Sequence, residues 1–303
     1  MADIAMNLLR RVFAWFMALI SVFSLKGGQN TPAPETGKPY LFSSEQAYEN
    51  YYLYCTEEDP EPYAWSPEAL AARANVVKET ESGGFSVTLF KNGTARVNHM
   101  TRPAETAEIP ASVDGYTVTA VYSVLPYGAY DAAARIASAV KKAVIPDTVE
   151  YVMERAFEDL SNLREVRFGA RVRFMGANAF RGCTLLSAAV LPDSLLALPV
   201  SAFESSAALT SVVFGKNVRR IGVCAFFDCP NLRRVTLPGG VTSLDTQCFA
   251  LCKRLSYIYI PASVTAIEDD AFGRCDRLTI HGEQGSYAET WAAAHGVPFA
   301  AGA

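Results

Sequence analysis

Four of the seven cysteines, Cys183, Cys229, Cys252 and Cys275, sit in one phase of a 23-residue spacing. Thiols so placed offer two chemistries. If the spacing is a structural repeat, Cys229, Cys252 and Cys275 stack in adjacent rungs, within reach of a disulfide. Zinc would need a tetrahedral set of thiolates and imidazoles. The pairs Cys224/Cys229 and Cys248/Cys252 lack that spacing, and no histidine is placed to complete it. Leu160 and Ser206 fill the same phase elsewhere, so the position asks for a modest buried side chain, a role free cysteine fills as a small hydrophobe. The three histidines, His99, His281 and His295, have no serine, cysteine or carboxylate at a spacing that suggests a triad. Phosphate-loop, dinucleotide, HExxH and GxSxG motifs are missing from the sequence. The expectation is a protein without catalytic residues, cofactor or metal.

A second set of residues offers contact rather than catalysis. They flank a column of inward apolar residues in short alternating segments: Glu165/Arg167, Ala188/Val190, Ser211/Val213, Arg234/Thr236 and Tyr257/Tyr259. In a strand such flanking positions face away from the core. The series runs from charged, through apolar, to basic and doubly aromatic, a composition that resembles a binding interface. The β-propensity of Val, Thr and Tyr also accounts for these types. Both readings stand on sequence alone.

These segments are positioned by a repeat. Phenylalanine recurs every 23 residues at Phe157, Phe180, Phe203, Phe226, Phe249 and Phe272, and leucine at Leu163, Leu186, Leu209, Leu232, Leu255 and Leu278. An apolar pair opens each unit, from Val149/Val152 to Val264/Ile267, and an alternating pair closes it, from Val166/Phe168 to Ile258/Ile260. A breaker follows: Pro146, Gly169, Pro192, Gly215, Pro238 and Pro261. The unit reads P-x-x-V-x-x-I-x-x-x-A-F-x-x-C-x-x-L-x-x-V-x-L. One unit cannot bury its apolar side alone, whereas stacked units can. The closing segments are expected to pair as parallel strands about 4.8 Å apart, with A-F-x-x-C as a short helical or irregular turn carrying phenylalanine inward.

This unit resembles the BspA-type leucine-rich repeat of bacterial surface and secreted proteins, over residues 109–299. Gly285–Phe299 (GSYAETWAAAHGVPF) is similar to the cap that closes such arrays, and Phe85–Tyr122 to their lead-in strands and degenerate first repeat. Ser123–Lys142 departs from the pattern, with helical spacing at Ala133, Ile136, Ala137 and Val140 in place of the A-F-x-x-C turn. The resemblance implies a repeat solenoid, mainly β with short helical turns, a leucine-rich-repeat-like right-handed array with N- and C-terminal caps. It also implies adhesion to host, matrix or neighbouring-cell molecules.

The remaining sequence sets bounds. The chain has 303 residues and a net charge of −4, with no basic tail, which argues against nucleic acid as a partner. Arg10 and Arg11 precede an apolar run from Val12 to Leu25, shorter than the roughly 20 residues needed to span a bilayer. It reads as a signal peptide, with an uncleaved anchor or an amphipathic helix as alternatives. The expected organisation is a signal or anchor at 1–25, a linker at 26–39 and a helical N-terminal cap region at 40–84. Lead-in strands and a degenerate repeat with a helical insertion follow at 85–144, six repeats at 145–282 and a C-terminal cap at 283–303. The Asn92-Gly93-Thr94 sequon also reads as a hairpin turn, the preferred reading. The function this points to is non-catalytic binding of protein or glycan outside or on the cell surface, touching membrane only through the N-terminal segment. The alternative is a structural spacer or assembly module of the cell envelope.

Overall fold

The computed structural model describes residues 75–302. The signal, the linker and most of the 40–84 region therefore lie outside the described residues. All described residues fall within one compact unit, Ala74–Ala303, and it is a mainly β solenoid with two parallel ladders of short strands.

The chain enters through β1 (Val76–Ser82), β2 (Phe85–Phe90) and β3 (Thr94–Met100), which pair antiparallel in sequence. The end of the 40–84 region, read from sequence as helical, is a strand: Val76–Ser82 pairs antiparallel with the buried β2 rather than presenting a helical face. Asn92-Gly93 makes the β2–β3 turn, with Gly93 at φ 82° and the Asn92 side-chain oxygen accepting from the Thr94 amide at 3.1 Å.

After β4 (Thr106–Glu108) and β5 (Ser112–Val113), strand β6 (Tyr116–Val121) lies parallel to β3 and begins the ladder of opening strands. Helix α1 (Tyr130–Ala139) replaces the first turn, with Ile136 and the following Val140 buried and Ala133 and Ala137 half-buried. The opening ladder continues through β8 (Tyr151–Val152) and β10 (Phe174–Met175), then β12 (Ala197–Leu198), β14 (Arg220–Ile221), β16 (Ser243–Leu244) and β18 (Ala266–Ile267). The closing ladder runs β4, β7 (Lys142–Val144) and β9 (Glu165–Arg167), abutting β11 (Ala188–Val190), β13 (Ser211–Val213), β15 (Arg234–Thr236), β17 (Tyr257–Ile260) and β19 (Thr279–Gly282).

A third ladder joins the turns. The phenylalanine amides donate forward to the next rung, Phe157 to Ala179 O at 2.8 Å, Phe180 to Ala202 O at 2.9 Å and Phe226 to Cys248 O at 2.8 Å. Aiming these amides along the stack requires two left-handed residues per rung. One set is Arg155, Asn178, Ser201, Cys224 and Gln247; the other includes Asp159, Gly182, Ser205, Asp228, Leu251 and Arg274. Left-handed backbone costs a non-glycine residue about 1–2 kcal/mol, and a bond to the neighbouring rung offsets that cost because an unpaired buried amide is as expensive.

Inside, the six phenylalanine rings stack face to face, with centroids 4.9 Å apart for Phe157–Phe180 and 5.5 Å for Phe203–Phe226. Phe168 and Phe214 meet this stack edge-on, at Phe180 and Phe226. Each is followed by glycine rather than proline. A Cβ on Gly169 or Gly215 would fall on the carbonyl oxygen of Pro146 or Pro192 in the preceding rung. At the C-terminus α2 (Tyr287–His295) starts at Ser286, whose hydroxyl accepts from the Glu289 amide, while Glu289 reaches back to the Gly285 amide. This reciprocal cap holds the helix. It sets Trp291 edge-on against Phe272 at 5.5 Å, ending the ring stack, before β20 (Phe299–Ala301) pairs with β19.

Two substitutions follow from this packing. Phe226→Ala removes a fully buried ring from the middle of the stack and is expected to cost about 3–5 kcal/mol. Gly215→Ala drives a methyl into the Pro192 carbonyl and is expected to cost about 1–3 kcal/mol. Urea unfolding of each variant checks both, and a midpoint unchanged from the parent would contradict them.

Candidate contact face

The closing ladder has one face on the core and one on solvent. Val166, Ala189, Val212, Val235 and Ile258 point inward and are buried. Their neighbours Glu165, Arg167, Ala188, Val190, Ser211, Val213, Arg234 and Thr236 are exposed, and Tyr257 and Tyr259 are half-exposed. Parallel register sets Ala188 beside Ser211, Val190 beside Val213, Arg234 beside Tyr257 and Thr236 beside Tyr259. The residues named from sequence thus lie on one continuous surface.

Its composition changes along the ladder. At the first rungs charges neutralise one another: Lys142 Nζ is 2.8 Å from Glu165, and Lys141 pairs with Glu105 at 3.6 Å. In the middle Val190 and Val213, 63% and 57% exposed, lie side by side. At the last rungs the Arg234 guanidinium lies over the Tyr257 ring, 3.9 Å from its centroid. The His281 ring stands on the far side of Tyr257 with centroids 4.2 Å apart. Among the described residues, Arg233, Arg234, Arg254 and Arg277 have no carboxylate within ion-pair distance, unlike Arg220, which pairs with Asp245 on the opening-strand side at 2.6 Å. Burial raises the Asp245 carboxyl above its ordinary range, outweighing the pull of Arg220.

His281 is the residue that periodicity misses. At a strict 23-residue step from Ile258, position 281 belongs to the inward column. The last rung is one residue shorter: Ile258 pairs with Ile280 and Tyr259 with His281. A one-residue shift in a strand exchanges its two faces, so Ile280 is buried and His281 turns outward. The signal was Leu278 lying two residues before Ile280, where in earlier rungs the leucine lies three residues before the inward column. His99 lies in β3, and His295 stacks on Trp291 with its Nε2 3.2 Å from Asp269.

The described cysteines are free thiols. Each member of the repeat column bonds the carbonyl of the preceding phenylalanine: Cys183 to Phe157 O, Cys229 to Phe203 O and Cys252 to Phe226 O at 3.2 Å, and Cys275 to Phe249 O at 3.1 Å. Ser206 donates to Phe180 O at 3.3 Å in the same way. The column therefore supplies a small buried donor. Burial pushes these thiols up, Cys275 to about 12 and the others also well above the ordinary range, so they remain protonated donors.

Comparison with known proteins places this architecture. The family described as the BspA type leucine rich repeat region matches in six copies, over residues 135–256 and 196–282. A leucine-rich repeat protein of T. pallidum aligns at 24% identity and a TM-score of 0.59, over 75% of this chain and 100% of that one. One from Bacteroides ovatus aligns at 24% identity and 0.54, over 70% of this chain but only 55% of its own length. These likenesses concern the fold. No curated protein matches the chain. The repeat region belongs to the BspA-type leucine-rich repeat family.

The buried thiols carry a direct test. In native buffer a maleimide is expected to label no cysteine beyond Cys55 and Cys224, and in denaturant all of them. Rapid native labelling of Cys229 or Cys252 would remove them from the carbonyl bonds described.

Proposed function

We propose that the chain is a non-catalytic binding protein, exported through its N-terminal segment, that holds protein or glycan at a host, matrix or neighbouring-cell surface with the outward face of the closing ladder. The observation that carries this reading is the exposed pair Val190 and Val213 running into the Arg234–Tyr257–His281 stack on a flat strand surface. Large apolar side chains side by side in solvent mark a contact site more often than a scattered exposed residue does. Aromatic and arginine side chains are the types that dominate contact energy.

A second reading rests on the valines alone. Val190 and Val213 also suit a subunit contact in a cell-envelope assembly, with the solenoid as spacer. Light scattering separates the two: a monomer at micromolar concentration supports the first, and a fixed oligomer that Val190→Asp/Val213→Asp dissolves supports the second.

For the binding reading, the purified chain is placed on an array of matrix proteins and glycans. The Tyr257→Ala/Tyr259→Ala variant is expected to fold normally and to lose about tenfold or more in affinity for the partner found. Unchanged binding by the folded variant would remove the face from the proposal.

A further inference from the structure

We infer that the C-terminal cap is clasped to the sixth repeat by a proton: His295 closes the joint as an imidazolium and loosens it when that proton leaves. His295 is the last residue of helix α2, which sets Trp291 against the end of the phenylalanine stack. Both of its ring nitrogens meet oxygen. Nδ1 is 2.8 Å from the Trp291 carbonyl, one turn back on the same helix, and Nε2 is 3.2 Å from Asp269 Oδ1, on the turn of the sixth repeat. A neutral imidazole has one N–H and a lone pair on its other nitrogen, and a carbonyl or carboxylate oxygen only accepts. In either neutral tautomer one lone pair therefore faces another. The imidazolium alone donates at both positions.

Two further features of the joint act on the same charge. The imidazole lies flat on the Trp291 indole, with centroids 3.9 Å apart and planes 13° from parallel, and a cation over an indole face is attracted to it. The helix ends at this residue, with Gly296 in the left-handed conformation, so the carbonyl end of the helix dipole lies beside the ring. The other titratable or charged groups of the elements that meet here are Glu268, Asp270 and Arg274 on the turn, Tyr287 and Glu289 on α2, and Glu283 in the connection between β19 and α2. Strands β18 and β20 bring none. Asp270 spends an oxygen on the Gln247 amide and Glu289 one on the Gly285 amide. Side chains of these types ordinarily titrate outside the neutral range, whereas imidazole titrates within it.

Protonation and closure of the cap therefore favour each other. The gain is present below the pH at which the ring loses its proton and is lost as pH rises through that point. More than the helix depends on it. Strand β20 follows α2 and pairs with β19, the strand that carries His281 on the contact face. A cap that opens leaves β19 as the edge of its sheet and uncovers Phe272.

The test uses the full chain with Trp15→Phe and Trp65→Phe, which leaves Trp291 as its one indole. An imidazolium in ring contact quenches indole emission, so Trp291 reports the charge on His295. The emission is expected to rise in one step between about pH 5 and pH 8. The step disappears in His295→Gln, moves to lower pH in Asp269→Asn and stays in place in His281→Gln. Amide hydrogen exchange of α2 and β20, corrected for its intrinsic pH dependence, is expected to quicken about two- to fivefold across that step in the parent and not in His295→Gln. Circular dichroism checks the folding of each variant. An emission that does not titrate, a midpoint that Asp269→Asn leaves unmoved, or equal quickening of exchange in His295→Gln would each overturn the inference. A titrating emission with level cap exchange would place the proton on the ring without any hold on the cap, and overturns it as well.

Discussion

A rung cannot satisfy its own backbone, and the groups that its local turns leave over are answered by the rung before it or after it. The opening strands, the closing strands and the phenylalanine turns each carry a ladder of hydrogen bonds along the stack, beside the short turn bonds made within each rung. Three ladders with one repeat length leave no register in which one slips while the others hold. Burial then adds to a geometry the hydrogen bonds already demand. The left-handed residues of the turn belong to the same constraint. They are locally unfavourable, and they persist because only that backbone aims the phenylalanine amide at the next rung.

Two side-chain columns owe their identity to the same geometry. Identical rings at identical heights stack face to face, which is worth about 0.5–1.5 kcal/mol per pair beyond the area they bury. The cysteine column reads differently once the carbonyl of the preceding phenylalanine is seen beside it. A thiol is small, tolerates burial and still donates a weak hydrogen bond. Serine replaces it at position 206 by making the same bond. The same side chains, met in a globular protein of unknown fold, would have suggested metal or disulfide chemistry. Here desolvation holds them as thiols.

Much of this was legible because the repeat converts sequence spacing into spatial adjacency. The six rings, the leucines, the inward valines and the outward ladder from Glu165 to Tyr259 follow from counting. The turn ladder does not, because its left-handed positions hold Arg, Asn, Ser, Cys, Gln, Asp, Leu and Gly, with no common residue type to announce them. The Phe168-Gly169 and Phe214-Gly215 pairs look like simple breakers until the approach of Pro146 and Pro192 is known. The strand Val76–Ser82 was hidden because its polar run, VVKETES, has weak alternation and gains its pairing from β2. His281 was hidden because counting at a fixed step assigns a shortened rung to the wrong face.

That shortened rung shows how fold and recognition are divided in this molecule. The inward columns admit little variation, since each residue meets its own counterpart in both neighbours. The outward positions meet only solvent and each other, so a paired charge, a valine or an aromatic ring can occupy them at small cost to the core. A contact surface can therefore be composed rung by rung on a scaffold that does not change. Deleting one residue between Leu278 and Ile280 keeps an aliphatic side chain inside and brings a histidine outside, next to a tyrosine already covered by arginine. The core accepts the deletion because inward alternation resumes at once. The face gains a histidine ring against Tyr257, at a position that a strict 23-residue step would have buried.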